Sequence, residues 1–377
     1  MGRVTIRPVT TEIDRERFLD VPRVVYVGDR NWVEPIRSSI STQLWPSGDN
    51  PFLEYGEFQA FVATDEAGRS TGRIVAAVNR RLNERDGRSI GLFGYFECID
   101  DAEVGRALLE TALSWLRDRG MTLARGPIDL STHNSCLFLV DGFDSQPAIM
   151  MPYNPPHYPK LMEREGWTQA KDAYAYDFPM EPLSNKFEKA YRVALKAGVT
   201  FRSVNLKGDA FDRDVRNIYQ LFTQAFSNNW SSSPRSEEEF FEEAQQLKTL
   251  VDPAIFPIAE YEGKMVGFFM GLPDYNIALK HVNGTLNIWG VLKFLWYRRT
   301  IDRARMITLC ALPEFRRKMV PLALVYLTMK GGQQRGYKRA ELSWIWEDNY
   351  PSRKITEASG GTIFKTYRVY EKELQLC

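Results

Sequence analysis

Residues 313–324 read PEFRRKMVPLAL, and this stretch decides how the rest of the chain is interpreted. Its second half has the composition of a helix, and three basic residues, 316–318, stand just before that helix. Positive charge and free backbone N–H groups at a helix start are suited to binding a phosphate group. The glycines that such a loop normally carries are missing, and Pro321 stands at the start of the helix. Because a proline in a first helical turn costs little, the stretch still predicts phosphate binding; the alternative is a basic surface turn that caps a helix.

The composition indicates an ordinary globular protein. The chain has 377 residues, 44% of them hydrophobic and 26% charged, and a net charge of +1. At roughly 150 residues per domain this length favours two domains. The balanced charge gives no overall field that would recruit nucleic acid. No apolar run reaches the roughly 18 residues of a membrane span, and four scattered cysteines without a C-x-x-C pair predict a reducing, cytoplasmic setting: Cys98, Cys136, Cys310 and Cys377.

The chain contains an internal duplication. Three pairs of segments occur in the same order in both copies, and their offsets are 195, 216 and 194 residues. The second copy therefore has about 21 extra residues before its helix, and the first copy has a compensating insertion after its helix. The pairs are VTIRPV (4–9) with VTFRSV (199–204), the glycine-terminated helices 103–120 and 319–336, and the segments that end at Tyr176 and Tyr370.

Both copies show the same order of predicted elements. A strand is followed by helices, two strands, a third strand, a helix, a strand, a helix and a last strand. This order predicts an α/β (α+β) fold with a mixed sheet and helices on its faces. We predict two tandem domains, 1–180 and 199–377, joined by a linker at 181–198.

The element order and the PEFRR segment resemble the GNAT superfamily of N-acyltransferases, whose Gln/Arg-x-x-Gly-x-Gly/Ala loop holds the pyrophosphate of acyl-coenzyme A (acyl-CoA). Arg316 takes the Gln/Arg place, whereas Met319 and Pro321 take the places of the loop glycines. Asn349 is followed at the family's distance by Glu357 and Gly360. The resemblance implies that acyl-CoA binds to the second copy, between strands 306–312 and 340–346, and that no metal is needed. It assigns donor binding to Leu312, Arg316, Arg317, Lys318, Val320 and Asn349.

The whole chain is also similar to a narrower bacterial group of tandem GNAT proteins, the YghO-like group. RGPIDLSTHNS (125–135), MMPYNPPHY (150–158) and LSWIWEDN (342–349) are among the segments that carry this likeness. Some members are linked to bacterial ceramide synthesis, so the resemblance implies N-acylation of a long-chain lipid amine, with a sphingoid base as the specific expectation. Two alternatives stay open: an acetyltransferase acting on a small or peptide amine, and a non-catalytic lipid-binding protein.

Acyl transfer to an amine needs a proton acceptor for the amine and a proton donor for the departing thiolate. The candidates are His133, Glu97, Glu347 and Tyr367. A histidine has an unperturbed pKa of about 6.5, which suits a base. A tyrosine could replace the family's proton-donating tyrosine, in whose place Thr356 stands. Each candidate has a structural alternative: a satisfied histidine, a capping or turn carboxylate, or an ordinary strand tyrosine.

Segment 276–305 has the most unusual composition in the chain. Large apolar side chains at 286–296 are followed by arginines at 298, 299, 303 and 305. An aromatic-rich, partly basic helix can lie at a bilayer surface or wall an apolar tunnel. The alternative is a core helix between the domains. We expect peripheral contact with the inner face of the cytoplasmic membrane through 276–305, where a lipid acceptor would enter.

Overall fold

The computed structural model describes residues 4–226 and 229–375, which form one mixed sheet covered by helices. Cys377 lies outside these residues, and the other three cysteines are buried free thiols. The strands are β1 (Thr5–Pro8), β2 (Gly56–Thr64), β3 (Ser70–Asn79), β4 (Ile90–Cys98), β5 (Leu123–Gly126), β6 (Phe138–Asp141), β7 (Thr168–Pro179), β8 (Val199–Ser203), β9 (Pro257–Tyr261), β10 (Lys264–Pro273), β11 (Arg303–Ala311), β12 (Arg339–Trp346) and β13 (Thr362–Glu373).

Helices flank this sheet, and the two predicted glycine-terminated helices correspond to α5 and α13. The helices are α1 (Glu12–Val25), α2 (Arg37–Leu44), α3 (Phe52–Tyr55), α4 (Arg80–Asp86), α5 (Ala102–Arg117), α6 (His157–Arg164), α7 (Asn185–Lys196), α8 (Gly208–Phe226), α9 (Glu237–Leu247), α10 (Asn276–Leu279), α11 (Ile288–Tyr297), α12 (Pro313–Arg316), α13 (Val320–Arg335) and α14 (Tyr350–Ala358). No helix among the described residues is both long and apolar enough to span a bilayer.

The order of the strands is symmetric about the centre of the sheet. It runs β1-β2-β3-β4-β5-β13-β7-β12-β11-β10-β9-β8, and β6 pairs with β13 beside this path. β4 is parallel to β5 and β11 is parallel to β12, whereas the central strands pair in antiparallel fashion. The predicted α/β fold with a mixed sheet is therefore confirmed. Every predicted strand is present, and the short β6 is the one that we did not predict.

The two copies exchange their last strands. β7 ends the first copy and pairs with β12 of the second, while β13 ends the second copy and pairs with β5 of the first. In these pairs Tyr176 lies opposite Leu342, and Tyr370 lies opposite Gly126. These facing residues are related by the same offsets of 194 and 216 that the sequence shows. The division at 181–198 stays a prediction, since the sheet continues across both copies.

The divergence of the parallel strands opens a cleft in each copy. β4 and β5 pair only over Ile90–Leu92 and Leu123–Arg125. β11 and β12 pair only over Arg303–Met306 and Arg339–Leu342. Beyond these residues the strands separate, so their backbone groups and side chains become available to a ligand.

Segment 276–305 does not end as predicted. The apolar part forms α11, but Arg303 and Arg305 belong to β11 and do not extend the basic end of that helix. Arg303 donates from Nε to Oδ2 of Asp274 at 2.7 Å, and Arg305 is only 2% exposed. Our expectation that Arg303 and Arg305 belong to the membrane-facing part was therefore wrong, because strand pairing and a buried carboxylate hold them inside.

The strand exchange predicts that the copies depend on each other for stability. Fragment 1–198 lacks β13, so β5 and β6 lose their partner strand, and we expect no cooperative unfolding transition from it. Thermal unfolding followed by circular dichroism should show a cooperative transition for the full chain and for an equimolar mixture of fragments 1–198 and 199–377. If fragment 1–198 alone melted cooperatively near the temperature of the full chain, β7 would be able to replace β13 and the prediction would fail.

Candidate active site

The loop before α13 keeps a glycine-like backbone path although it contains no glycine. Met319 caps α13 with φ at 62°, in the left-handed region. A non-glycine residue there costs roughly 1–2 kcal/mol, so the surrounding structure must hold this conformation. Pro321 lies in the first turn of the helix, where an N–H group has no helical partner. The missing glycines therefore do not abolish the loop geometry.

Two of the three basic side chains in this loop are open to a phosphate group. The side chains of Arg316 and Arg317 are exposed and form no hydrogen bond or ion pair within residues 4–226 and 229–375. Lys318 is half-buried, with its Nζ 4.0 Å from the ring centroid of Tyr261 and 4.6 Å from that of Phe315. Its charge is thus already in contact with two aromatic faces.

The other predicted donor-binding residues already have roles in the fold. Leu312 donates its backbone N–H to the carbonyl of Val266 at 3.0 Å, and the side chain of Val320 is fully buried. Asn349 caps α14, accepting through Oδ1 from the N–H of Ser352 at 3.3 Å. Asn349 also lines the cavity formed by the separating strands. Of these three residues, its side chain is the one placed beside a space for a ligand.

A cavity of about 740 Å³, the larger cavity, opens where β11 and β12 separate. Its volume is within the roughly 300–1,000 Å³ that is usual for ligand pockets. One wall comes from residues 306–309 and 342–346 of the two strands. The opposite wall comes from α8 and α9 and is apolar and aromatic; it includes Phe211, Phe222, Phe226, Phe240 and Leu247.

The floor of the larger cavity carries a buried positive charge. Arg305 donates from Nε to Oγ of Ser343 at 3.0 Å, from Nη2 to the Ser343 carbonyl at 3.0 Å and from Nη1 to the Ile149 carbonyl at 2.8 Å. Oγ of Ser343 in turn donates to Oε1 of Glu341 at 2.7 Å. A fixed cation in a buried site stabilises a developing negative oxygen more strongly than it would in water, and the nearby buried carboxylate of Glu341 offsets part of this charge. We had not assigned Arg305 or Ser343 to the site, because only the fold brings them together.

The first copy enters the larger cavity through residues 127–137, which we call the partition loop. His133 lies in this loop, with its Nε2 2.7 Å from the carbonyl oxygen of Ser233. Because a carbonyl oxygen only accepts hydrogen bonds, we assign the proton to Nε2, which leaves the lone pair on Nδ1. Burial lowers the pKa of His133 to about 4, so the imidazole is neutral at pH 7. A neutral His133 with a free lone pair is placed in the larger cavity, and its catalytic role stays a prediction.

A second cavity of about 450 Å³, the smaller cavity, lies in the first copy where β4 and β5 separate. Glu97 lines it and accepts hydrogen bonds from two tyrosine hydroxyls at 2.7 and 3.0 Å, while burial raises its pKa. Asp129, in the partition loop, also lines it, and its Oδ1 accepts from the N–H of Tyr95 at 2.6 Å. Glu97 and His133 are therefore in different cavities, on opposite sides of the partition loop.

The two cavities adjoin. Five residues line both of them, so the cavities have a common wall: Ser39, Gln43, Ser135, Met150 and Met151. Ser135 belongs to the partition loop and is exposed. A molecule bound in each cavity would meet the other at this wall.

The remaining two predicted catalytic residues line neither cavity. Oε1 of Glu347 accepts from the backbone N–H of Asp172 at 3.2 Å. Tyr367 is fully buried in β13, its hydroxyl has no hydrogen-bond partner among the described residues, and burial raises its pKa well above the usual range. The structure does not bring these two residues together with His133. Within residues 4–226 and 229–375, no group of three or more His, Cys, Asp or Glu side chains is placed to hold a metal.

The separating strand pair, the loop before α13 and the two-copy sheet define a tandem acyltransferase of the GNAT fold. Residues 215–360 match the acetyltransferase (GNAT) family. A solved tandem GNAT protein from the clavulanic acid biosynthesis pathway superposes with a TM-score of 0.60, covering 99% of both chains at 12% identity. A GCN5-related N-acetyltransferase from Sphaerobacter thermophilus superposes with a TM-score of 0.55, at 14% identity, over 99% of this chain and 96% of that one.

Two further proteins are similar to nearly the whole chain. Bacterial ceramide synthase from Caulobacter vibrioides (strain NA1000 / CB15N) is 31% identical, covering 98% of each chain. Protein YghO from Escherichia coli (strain K12) is 30% identical, covering 98% of this chain and 95% of that protein. The chain belongs to this family of tandem GNAT proteins, as predicted, and it is an N-acyltransferase.

The geometry of His133 gives a specific expectation for its replacement. If Nδ1 accepts a proton during transfer, His133→Ala should lower turnover by roughly 10²-fold or more and leave donor affinity nearly unchanged. Because burial lowers its pKa to about 4, His133 should give no inflection in the rate near pH 6.5. Initial rates of thiol release as a function of pH measure both effects.

His157→Ala is the matched control for this variant. His157 is also partly buried and has Nε2 3.2 Å from a backbone carbonyl oxygen, that of Cys98, but it lines neither cavity. It should keep turnover within a small factor of the wild type. A folded His133→Ala protein with wild-type turnover would leave His133 with only its structural contact to Ser233.

Proposed function

We propose that the protein transfers a long acyl chain from acyl-CoA to the amine of a long-chain lipid, and that this lipid is a sphingoid base. The larger cavity carries the proposal, because its apolar wall from α8 and α9 continues from the gap between β11 and β12. An acetyl group would leave that wall uncovered, whereas a long chain would bury it, at about 25 cal/mol for each Å² of apolar surface. The similarity to bacterial ceramide synthase supports the choice of acceptor.

We place the donor in the second copy in the orientation that the exposed arginines and the strand gap favour. The pyrophosphate lies at the start of α13, beside Arg316 and Arg317, which are exposed and unpaired among the described residues. The pantetheine arm follows the gap between β11 and β12, and the acyl chain continues into the larger cavity. In this orientation the thioester approaches the polar floor that Arg305 and Ser343 form.

The residues of the larger cavity supply the needs of the reaction. The attacking amine must be neutral, and the carbonyl oxygen becomes negative when the amine adds to the thioester carbon. Arg305 provides the buried positive charge for that oxygen, and Nδ1 of His133 is a proton acceptor that stays unprotonated at neutral pH. The C–S bond then breaks, and the departing thiolate takes the proton that Nδ1 of His133 accepted from the amine, which yields the amide and free coenzyme A.

The acceptor enters from a membrane surface through α11. Ile288, Trp289 and Trp296 of this helix are 80%, 73% and 67% exposed, and the core-helix alternative is wrong because Gly290 is the only buried residue of α11. Lys293, Arg298 and Arg299 are exposed beside this apolar face. Apolar side chains next to basic ones are the arrangement by which a helix lies in a membrane interface.

The inner side of α11 connects the membrane-facing side to the cavities. Phe294 stacks on Tyr275 at 5.7 Å between ring centroids. Both belong to a small apolar cluster that includes Ile149, which lines the smaller cavity, and Met270, which lines the larger one. A lipid that leaves the bilayer at α11 would therefore reach both cavities along apolar side chains.

A comparison of donors and acceptors tests the proposal. The purified protein is incubated with acetyl-, octanoyl- or palmitoyl-CoA, together with a sphingoid base or a small soluble amine, and thiol release and amide products are followed by mass spectrometry. We expect the highest kcat/KM for the long-chain donor with the sphingoid base. Faster acetyl transfer to the small amine would support the small-substrate alternative and contradict the proposal.

The donor orientation predicts the effect of the open arginines. Arg316→Ala combined with Arg317→Ala should weaken acyl-CoA binding by about tenfold or more at low salt, because two charge-assisted contacts are lost. The matched control is Lys196→Ala with Lys330→Ala, which removes the same amount of positive charge from two exposed lysines. Lys196 is the last residue of α7, and Lys330 lies in α13. Equal affinities of the two double variants, measured by isothermal titration calorimetry, would mean that the phosphates bind elsewhere.

The membrane contact predicts a second pair of variants. Trp289→Ser with Trp296→Ser should cut sedimentation with anionic vesicles and turnover of the long-chain acceptor, but not the thermal stability, because both side chains are exposed. Ile13→Ser with Ile363→Ser removes exposed apolar side chains elsewhere, 66% and 44% exposed, and should have little effect. An unchanged vesicle-bound fraction in the tryptophan variant would remove the membrane role of α11.

A further inference from the structure

We propose that the smaller cavity of the first copy binds the ammonium head of the acceptor, and that Asp129 takes a proton from it before the amine reaches the thioester in the larger cavity. This inference rests on the proposed function, because it assigns the binding site for the acceptor of that reaction. It gives a defined role to the first copy, in which an acidic residue, Asp101, caps the helix that corresponds to α13.

The charges of the smaller cavity favour a cation. Four charged side chains line it, and two of the three carboxylates have partners. Glu34 accepts from Nε of Arg23 at 2.6 Å, and Glu97 lies 3.9 Å from Nη2 of Arg73. The third carboxylate, that of Asp129, forms no ion pair among the described residues. The cavity thus has one uncompensated carboxylate, which an ammonium group would neutralise.

Aromatic rings form much of the surrounding wall. Tyr26 and Trp32 stack with 4.8 Å between ring centroids, and Tyr153 lies 6.1 Å from Tyr26. All three line the smaller cavity. Aromatic faces attract ammonium groups, so the wall and the uncompensated carboxylate select the same ligand class.

A second, independent feature points to a ligand that carries hydroxyl groups. Arg73 lines the smaller cavity, is only 4% exposed, and its Nε has no hydrogen-bond partner within the described part of the chain. Its Nη1 donates to the carbonyl of Phe18 at 3.2 Å. A buried guanidinium N–H without an acceptor is costly, and a hydroxyl oxygen of the acceptor would satisfy it after a small adjustment. A long-chain amino alcohol has both of the required groups.

The partition loop separates the proposed site of amine deprotonation, in the smaller cavity, from the proposed site of acyl transfer, in the larger cavity. Asp129 lines the smaller cavity, His133 lines the larger one, and Ser135 lines both. The N–H of Asp129 donates to the carbonyl of Ser135 at 2.8 Å, and Nδ2 of Asn134 donates to the carbonyl of Asp129 at 2.8 Å. These contacts hold the loop compact, so an amine at Asp129 needs to move only past Ser135 to meet the acyl chain.

The proposed step is balanced in protons and bonds. The acceptor arrives as R–NH₃⁺ and gives one proton to the Asp129 carboxylate. The neutral amine then forms a C–N bond with the thioester carbon, and the C–S bond breaks. The second proton leaves nitrogen through the base in the larger cavity and goes to the thiolate. The products are the amide, free coenzyme A and a protonated Asp129, which releases its proton to solvent.

The pH dependence follows from the surroundings of Asp129. Burial raises its pKa to about 7, against the hydrogen bond from Tyr95 and the charge of Arg73, while Glu97 adds to the rise. Only the ionised form can take the proton, so kcat/KM for the amine should rise with pH through about 7. Of the other groups near it, burial raises the pKa of the Tyr95 hydroxyl and that of the Cys136 thiol well above their usual ranges, so neither titrates near pH 7. Burial also raises the pKa of Glu97. The Asp129→Asn variant separates the two titrations, because it keeps Glu97 and removes the carboxyl group of Asp129.

The test compares Asp129→Asn with wild type in the full chain. We expect KM for the sphingoid base to increase tenfold or more, the rise in kcat/KM near pH 7 to disappear, and the Kd for palmitoyl-CoA to stay within a factor of two. Asp100→Asn, an 85% exposed carboxylate at the end of β4 that lines neither cavity, is the control. An unchanged KM and an unchanged pH profile in folded Asp129→Asn would overturn the inference while the proposed function stands.

Direct binding keeps the inference testable if the variant does not fold or if no amide forms. A long-chain amine is titrated into the wild-type protein without donor, and binding is followed by the change in tryptophan fluorescence. The Trp32→Phe variant shows how much of that change comes from Trp32. Binding that strengthens as pH rises through about 7, and that a long-chain alcohol without nitrogen does not reproduce, supports the site. Equal binding of the amine and the alcohol, or binding that pH does not change, overturns it, whatever the outcome of the acyl-transfer assay.

Discussion

The pairing of β13 with the first copy is the constraint on which the rest of the structure depends. β13 is antiparallel to β5, which ends at Gly126, and to β6, which begins at Phe138. The partition loop is the chain between those two strands, so the last strand of the second copy holds both of its ends. Through this pairing, a loop of the first copy is fixed as a wall of the second copy's cavity. The larger cavity is therefore composite, and neither copy contains all of its wall.

Duplication also explains how the two copies can differ in chemistry. Each copy has a pair of parallel strands that separate and open a cavity. Only the second has exposed arginines at the start of the following helix; in the first, Asp101 caps α5, and its Oδ1 accepts from the N–H of Glu103 at 2.8 Å. An acidic helix start repels a pyrophosphate group. One cavity thus remains suited to an acyl-CoA donor, and the other is free to take a different ligand.

Much of the fold could be predicted from the sequence, because strand alternation, helix-ending glycines and the repeated offsets are local signals. The exchange of β7 and β13 could not be predicted, since the residues of a strand do not specify its neighbours when the two copies contain similar partner strands. Among site residues, local sequence pointed to His133 and Glu97 but not to their separation by the partition loop. Asp129, Arg305 and Ser343 were missed because their roles arise from burial and long-range contacts. Met319 was recognised as a missing glycine, but its left-handed φ could not be predicted from composition.

We propose that the acyl chain and the amine occupy adjoining cavities on opposite sides of the partition loop. This claim is tested most directly by a structure of the protein with a bisubstrate analogue, in which a long-chain amino alcohol is linked to coenzyme A through a non-cleavable long-chain acyl group. We expect the acyl chain to lie against α8 and α9, the phosphates beside Arg316 and Arg317, and the nitrogen between Asp129 and Ser135. An analogue with its acyl chain outside the wall of α8 and α9, or its nitrogen outside the junction of the two cavities, would contradict the claim.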